Sequence, residues 1–164
     1  MKSVSFICSI IGNLSSRGND FIMGVTYIMK ENRIETAAQA AAIIRAALPK
    51  EQKEERVFVL PLDANGKMLA KPILVSVGSE DGTAAIDAGA IFREALKVGA
   101  EEIIVAHNHP SGDPTPSKTD YNTTIKLNDG ASLVGLELID HIILGSTDSA
   151  NGLGYVSMAE LMAE

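Results

Sequence analysis

Two histidines and one aspartate stand in the sequence with a spacing that suits a metal site. His107 and His109 follow a short apolar run, and ten residues separate His109 from Asp120. On a β-strand, side chains two residues apart point to the same face, so the two imidazoles are expected to project side by side. Zinc accepts imidazole nitrogens and carboxylate oxygens at about 2.0–2.2 Å. The sequence therefore predicts one divalent metal ion, with zinc expected, between His107, His109 and Asp120.

The segment between His109 and Asp120 is suited to bring the aspartate back to the histidines. Ser117 is a typical N-cap, which places Asp120 in the first turn of a helix, where the helix dipole favours a carboxylate. The loop before this helix contains Pro110, Pro114 and Pro116. Prolines restrict the unfolded chain, so the loop loses less conformational entropy when its two ends are fixed.

Three protein ligands would leave one coordination position open, which is the arrangement of a catalytic zinc. A metal held in this way lowers the pKa of a bound water to about 7, and a nearby carboxylate could accept the proton and pass it to a leaving amine. Taken singly, the same kinds of residue have structural interpretations. His141 is interpreted as a structural histidine of a buried strand, and Ser117 with Asp120 would be an ordinary helix cap. The combination favours hydrolysis by a metal-activated water.

Helical and strand patterns alternate around this segment. The predicted elements are a helix at 36–48 that Thr36 caps and Pro49 stops, strands at 55–63 and 68–77, a helix at 88–98, a strand at 103–106, a helix at 118–128, a strand at 136–144, and a short strand and helix at 155–162. This order predicts an α/β (α+β) fold, a mixed β-sheet flanked by helices.

Some positions make sharper structural predictions. Asn65-Gly66 between two apolar runs indicates a hairpin. Pro61 and Pro72 each lack an amide donor, so both are expected at an edge or an irregularity of the sheet. The continuously apolar run at 103–106 predicts a strand buried on both faces. The helix at 88–98 is expected to bury a stripe formed by Ile91, Ala95 and Val98.

The composition of the 164 residues bounds the kinds of partner. The net charge is −7 and no cluster of Lys and Arg stands out, so direct binding to nucleic acid is not expected. No apolar run has the length of a membrane span. The single cysteine, Cys8, excludes an internal disulfide framework and suits a cytoplasmic setting. Residues 1–27 are predicted to be a loosely ordered N-terminal extension, with a targeting segment as the alternative.

The metal segment also resembles a known family. The segment reads His-x-His-Pro and then Ser-x-x-Asp, with ten residues between the second histidine and the aspartate. This pattern is similar to the JAMM motif of the MPN (JAB) domain metalloproteases. The likeness is strongest to the RadC-like branch and covers residues 33–160. It rests on His107-Asn108-His109-Pro110-Ser111-Gly112-Asp113-Pro114, Phe92-Arg93-Glu94-Ala95-Leu96, Ile103-Ile104-Val105-Ala106 and Leu138-Ile139-Asp140-His141-Ile142-Ile143-Leu144-Gly145.

The resemblance implies roles for particular residues. His107, His109 and Asp120 would bind one zinc ion, and Ser117 would hydrogen-bond the developing oxyanion or the attacking water. Glu55 would be the general base, since the family places a glutamate on an earlier strand. The implied architecture is a helix–sheet–helix arrangement resembling cytidine deaminases, and the implied substrate is a peptide or an isopeptide.

Two functions follow as hypotheses from these observations. One is a zinc-dependent hydrolase of the metallopeptidase or isopeptidase type. The other is a non-catalytic RadC-like accessory or scaffold protein in DNA repair or metabolism. Three further hydrolase classes fit worse, because an amidohydrolase barrel needs about 250 residues, zinc deaminases need a Pro-Cys-x-x-Cys pair, and zincins need His-Glu-x-x-His. The scissile bond and the oligomeric state stay open.

Overall fold

The computed structural model describes residues 32–78 and 86–163, and the predicted extension at 1–27 lies outside them. A five-stranded sheet carries helices on its faces within these ranges. In chain order the elements are α1 (Ala37–Arg45), β1 (Arg56–Leu62), β2 (Ile73–Val77), α2 (Ala88–Lys97), β3 (Glu102–Asn108), α3 (Lys118–Leu133), β4 (Glu137–Leu144), β5 (Tyr155–Ser157) and α4 (Met158–Met162).

The sheet is mixed, with the strand order β2-β1-β3-β4-β5. β3 and β4 are parallel and are joined through α3, while the other neighbouring pairs are antiparallel. A parallel pair needs a crossover connection of this kind, because its strands run in the same direction. The predicted α+β fold with a mixed sheet is confirmed.

Apolar side chains fill the space on both faces of the sheet. Ile104 and Ala106 of β3 pack with α1 on one face, whereas Ile103 and Val105 pack with α2 and α3 on the other. The prediction that this strand is buried on both faces is confirmed. The result is a helix–sheet–helix arrangement. The central strand β3 ends at Asn108, so His107 and the following His109 lie at one end of the sheet.

Local sequence signals set the start of α1 and the hairpin after β1. The Thr36 hydroxyl accepts a bond from the Gln39 amide, and the Gln39 side chain accepts one from the Thr36 amide, which forms a capping box. α1 ends at Arg45, before the predicted end at Leu48, because the last turn tightens into bonds between residues three apart. In the hairpin, the Asp63 amide donates to the Lys67 carbonyl over 2.9 Å.

Both prolines lie where the sheet is irregular, as predicted. Pro61 lies in the part of β1 that does not pair with β2, and its carbonyl accepts a hydrogen bond from the Leu69 amide. Pro72 directly precedes the edge strand β2. The predicted return strand at 68–77 is wrong in its first half, because residues 68–72 are irregular and β2 begins only at Ile73.

Packing between helices explains two further corrections. α3 was predicted to end at Asn128 but continues to Leu133, because Gly130 lies against α2. A Cβ added at Gly130 would come within 2.9 Å of the Phe92 ring, so glycine at this position permits the close packing of α3 against α2. Val98 does not complete the apolar stripe of α2, since it is 38% exposed, and Phe92 is buried beside Ile91 instead.

None of the helices in residues 32–78 and 86–163 combines the length and the apolar composition that a membrane span requires.

Candidate metal centre

His107 and His109 lie side by side at the end of β3. Their Nε2 atoms are 3.1 Å apart, as the two-residue period of a strand predicted. His107 is buried within β3, and His109 follows the last strand residue. The His109 amide donates to the Leu144 carbonyl over 2.8 Å, which continues the ladder with β4 for one more residue. The backbone of the sheet therefore fixes the spacing of the two imidazoles.

Asp120 returns to the same point from the first turn of α3. Its Oδ1 lies 3.1 Å from His107 Nε2, and its Oδ2 lies 3.6 Å from His109 Nε2. Ligand atoms about 2.0–2.1 Å from a tetrahedral zinc ion are about 3.3 Å apart. The three side chains thus fit one such ion in both spacing and donor chemistry, and they form a group that could hold a metal.

Ser117 orients the carboxylate of Asp120. The Ser117 hydroxyl and amide donate to Asp120 Oδ2 over 2.6 and 2.7 Å, while the Asp120 amide donates to the Ser117 hydroxyl over 3.2 Å. This capping box begins α3, so one local motif both starts the helix and aims the carboxylate. The role in oxyanion binding stays a prediction.

The electrostatics of the three groups favour a carboxylate anion beside the imidazoles. Burial alone raises the pKa of Asp120, but hydrogen bonds from His107, His109 and Ser117 outweigh it and hold that pKa far below its usual range. The hydrogen bond to Asp120 raises the pKa of His109. The carboxyl group of Asp120 is thus anionic throughout the neutral pH range.

Glu55 precedes β1 and reaches the edge of the same site. Its Oε1 lies 3.9 Å from His107 Nε2, and its side chain is largely buried. Glu54 instead pairs with Arg56 at 3.1 Å, and its side chain is 39% exposed. The structure therefore turns Glu55 and not Glu54 toward the histidines, within reach of a water beside them. Its role as general base stays a prediction.

Asn108 holds the backbone on both sides of Glu55. Its Oδ1 accepts from the Arg56 amide over 2.8 Å, and its Nδ2 donates to the Glu54 carbonyl over 3.1 Å. Asn108 is fully buried. The residue between the two histidines therefore clamps the backbone around the candidate base.

His141 joins the cluster from β4, so all three histidines of the chain meet here. His141 Nε2 lies 2.9 Å from His107 Nδ1, and His141 Nδ1 lies 2.7 Å from the hydroxyl of Thr124 on α3. Burial and the neighbouring His107 lower the pKa of His141 to about 3. Sequence reasoning interpreted His141 as structural and missed Thr124. The one signal was a histidine that leads directly into the apolar run Ile142-Ile143-Leu144.

The loop after His109 is packed tightly against the end of β4. His109 Nδ1 lies 2.8 Å from the Asp113 carbonyl, which leaves Nε2 directed at Asp120. A Cβ added at Gly145 would lie 2.5 Å from the Gly112 carbonyl oxygen, so only glycine permits this approach. Beside His109 opens a polar cleft lined by Arg45, Lys50, Gln52, Ser146 and Thr147.

Comparisons with known proteins identify a family and several relatives of similar sequence. The model of the RadC-like JAB domain matches residues 34–163. A UPF0758 protein of Clostridium botulinum is 36% identical over 151 residues, which cover 92% of this chain and 60% of that protein. UPF0758 proteins of Carboxydothermus hydrogenoformans and Acaryochloris marina are each 43% identical, over 65% and 69% of this chain and over 44% and 47% of their own lengths. The chain thus spans about half the length of these relatives, whose names state no activity.

Proposed function

This chain belongs to the RadC-like JAB domain family, and on that premise we propose that it is a zinc-dependent hydrolase that cleaves an amide bond. The observation that carries the proposal is the convergence of two imidazole nitrogens and one carboxylate oxygen at the end of β3, beside the largely buried carboxyl group of Glu55. Convergent ligands with a neighbouring base are the parts that hydrolysis of an amide requires.

Each side chain of the site has a separate proposed role. His107, His109 and Asp120 would hold one zinc ion, which when bound supplies Lewis acidity and an acidified water. Glu55 would act as the general base, accepting a proton from the attacking water at its carboxylate and returning it to the leaving amine. The family resemblance implies that Ser117 would donate to the developing oxyanion or the attacking water. Its one hydroxyl proton would then leave Asp120 Oδ2, to which the Ser117 amide still donates.

The proposed substrate is a peptide or an isopeptide, which is the class that the family resemblance implies. The cleft beside His109 is polar and offers the hydroxyls of Ser146 and Thr147 and the ammonium group of Lys50 as hydrogen-bonding groups for such a substrate. The proposal includes a cytoplasmic setting, which the single cysteine of the chain supports.

Metal content and hydrolysis test the proposal together. We expect purified protein to contain about one zinc ion per chain, and to cleave members of a pool of internally quenched peptides and Nε-acyl-lysine isopeptides. Glu55→Gln should keep the metal and lose at least about 100-fold in rate, because general-base catalysis contributes about 10²–10⁴-fold. Glu54→Gln is the matched control, and it should retain both metal and activity.

The same proteins separate this function from the non-catalytic accessory role in DNA metabolism. That role predicts salt-sensitive binding to duplex DNA that His107→Ala leaves unchanged, with no hydrolysis by the wild type. Wild-type protein without bound zinc and without turnover would contradict the hydrolase proposal.

A further inference from the structure

We propose that His141 and Thr124 are positioning residues, which fix the ring orientation and tautomer of the metal ligand His107 and tie that ligand to the backbone of Asp120. The proposal rests on the metal site of the proposed function. It concerns a chain of three hydrogen bonds, here called the relay, which runs from Asp120 through Thr124 and His141 to His107.

The direction of each bond in the relay follows from its first member. The Thr124 hydroxyl donates to the Asp120 carbonyl over 2.8 Å, so its oxygen accepts a hydrogen bond from His141 Nδ1. A neutral imidazole that carries its proton on Nδ1 has an unprotonated Nε2. His141 Nε2 therefore accepts from His107 Nδ1, and the lone pair of His107 Nε2 faces His109 and Asp120.

The surroundings of His141 favour its neutral form. The side chain is fully buried, and a buried cation is costly without an anionic partner. The carboxylate next in sequence, Asp140, is engaged elsewhere, because it accepts bonds from the Ser157 hydroxyl and from the amides of His141 and Ala159. The ring of His141 thus donates to Thr124 and accepts from His107, which uses both of its nitrogens.

A role in packing alone does not account for these contacts. The strand around His141 is apolar and fully buried at Ile142, Ile143 and Leu144, where a leucine would fill the space without a polar cost. The relay also closes a ring, since it starts at the backbone of one proposed ligand and ends on the side chain of another. Outer residues of this kind set the tautomer and the basicity of a metal-binding histidine.

Zinc affinity, measured by competition with a chromophoric chelator, tests the relay without reference to turnover. Thr124→Val and His141→Leu should weaken zinc binding by about 10–100-fold, which is the usual effect of losing such a partner. His141→Gln should lose less, because its amide oxygen can take the place of Nε2 and accept from His107. Thr123→Val makes the same substitution one residue earlier on α3 and should bind zinc like the wild type.

Two measurements distinguish positioning from folding. The melting temperature of the zinc-free variants reports structural damage, and a merely structural role predicts a lower melting temperature with unchanged affinity. Nitrogen-15 NMR of the zinc-loaded wild type, which contains only three histidines, reads the tautomers directly. We expect the proton on Nδ1 of both His107 and His141, and a proton on Nε2 of either would overturn the proposal even if the variants fail to fold.

The outcomes also separate this proposal from the proposed function. If the wild type binds zinc and both Thr124→Val and His141→Leu bind it equally well, the relay has no positioning role while the metal site stands. If the wild type binds no zinc, both the metal site and the relay are overturned.

Discussion

Among the residues of the site, Ser117 serves the helix and the carboxylate at once. Its hydroxyl caps α3 and also donates to Asp120 Oδ2 over 2.6 Å, so the group that starts the helix fixes the position of a proposed ligand. Ser157 makes a comparable pair of contacts at the start of α4, where its hydroxyl donates to Asp140. The two caps differ in one respect, since only the carboxylate beside Ser117 faces the histidines.

We therefore expect Ser117→Ala and Ser157→Ala to have similar costs in stability and different effects on the metal. Each should lower the free energy of unfolding by about 0.5–2 kcal/mol, because an N-cap is lost. Only Ser117→Ala should also weaken zinc binding, since the carboxylate of Asp120 loses a donor that orients it. Urea unfolding and chelator competition measure the two effects. Equal zinc affinity in the two variants would contradict this assignment.

Asn108 offers a second test at the residue scale. Asn108→Ala removes a donor and an acceptor from the backbone around Glu55, so the free energy of unfolding should fall by about 1–3 kcal/mol. If the clamp positions the base, peptide hydrolysis should fall by a larger factor than zinc affinity does. The exposed Asn122→Ala on α3 is the control. Unchanged hydrolysis by folded Asn108→Ala would show that Glu55 needs no clamp.

At the scale of elements, the end of β4 supports the loop that carries His109. Gly145 does not need an unusual backbone angle, yet an added Cβ would lie 2.5 Å from the Gly112 carbonyl oxygen and 2.6 Å from Pro114 Cδ. The constraint is therefore space alone. Since His109 bonds to Asp113 within this loop, a shift of the loop would move a proposed ligand.

Gly145→Ala should for this reason damage the site as well as the fold. We expect a loss of about 1–3 kcal/mol in the free energy of unfolding, the usual cost of overpacking, together with weaker zinc binding. Gly89→Ala, in the first turn of α2, is the control and should be close to neutral. Alanine favours helix, while the added Cβ would meet only the end of the exposed Asp87 side chain, at 3.2 Å. Differential scanning calorimetry with and without zinc measures both. Wild-type affinity in Gly145→Ala would show that the loop adapts without moving His109.

Local and long-range contacts explain which elements the sequence could predict. The cap at Thr36, the hairpin at Asn65-Gly66 and the pairing of His107 with His109 each depend on residues a few positions apart, and all three are as predicted. The extension of α3 past Gly130 depends on the Phe92 ring of another helix, and no pattern within α3 could indicate it.

For the molecule as a whole, the position of the site could be predicted and its supporting contacts could not. A turn and a helix cap bring Asp120 back to the histidines within one short segment. The contact of His141 with His107 instead needs the parallel register of β3 and β4, which pairs Val105 with His141. Such a register follows from the packing of the complete sheet, so a buried histidine in an apolar strand could only be interpreted as structural.

Several acidic residues lie close together at one end of the sheet. At the end of β3 opposite the histidines, Glu102 pairs in register with Glu137 of β4, and Asp63 and Glu101 lie nearby. Burial, and then the charges of Glu137, Asp63 and Glu101, raise the pKa of Glu102. A carboxyl group whose pKa is raised by folding binds its proton more tightly in the native state. Its ionisation therefore costs stability as the pH rises through that raised pKa.

Glu102→Gln should accordingly stabilise the protein at pH 7, where the wild type bears the full cost of the charge. We expect a rise in melting temperature of about 1–3 °C, because less than about 1 kcal/mol is at stake for a partly exposed carboxylate in a chain of this size. The gain should shrink as the pH falls toward 4 and the wild-type carboxyl protonates. Glu94→Gln, which removes the exposed ion pair with Lys97, is the control and should not show this gain. A lower melting temperature for Glu102→Gln at pH 7 would mean that Glu102 gains more from a cationic or hydrogen-bonding neighbour than it loses to the acidic cluster.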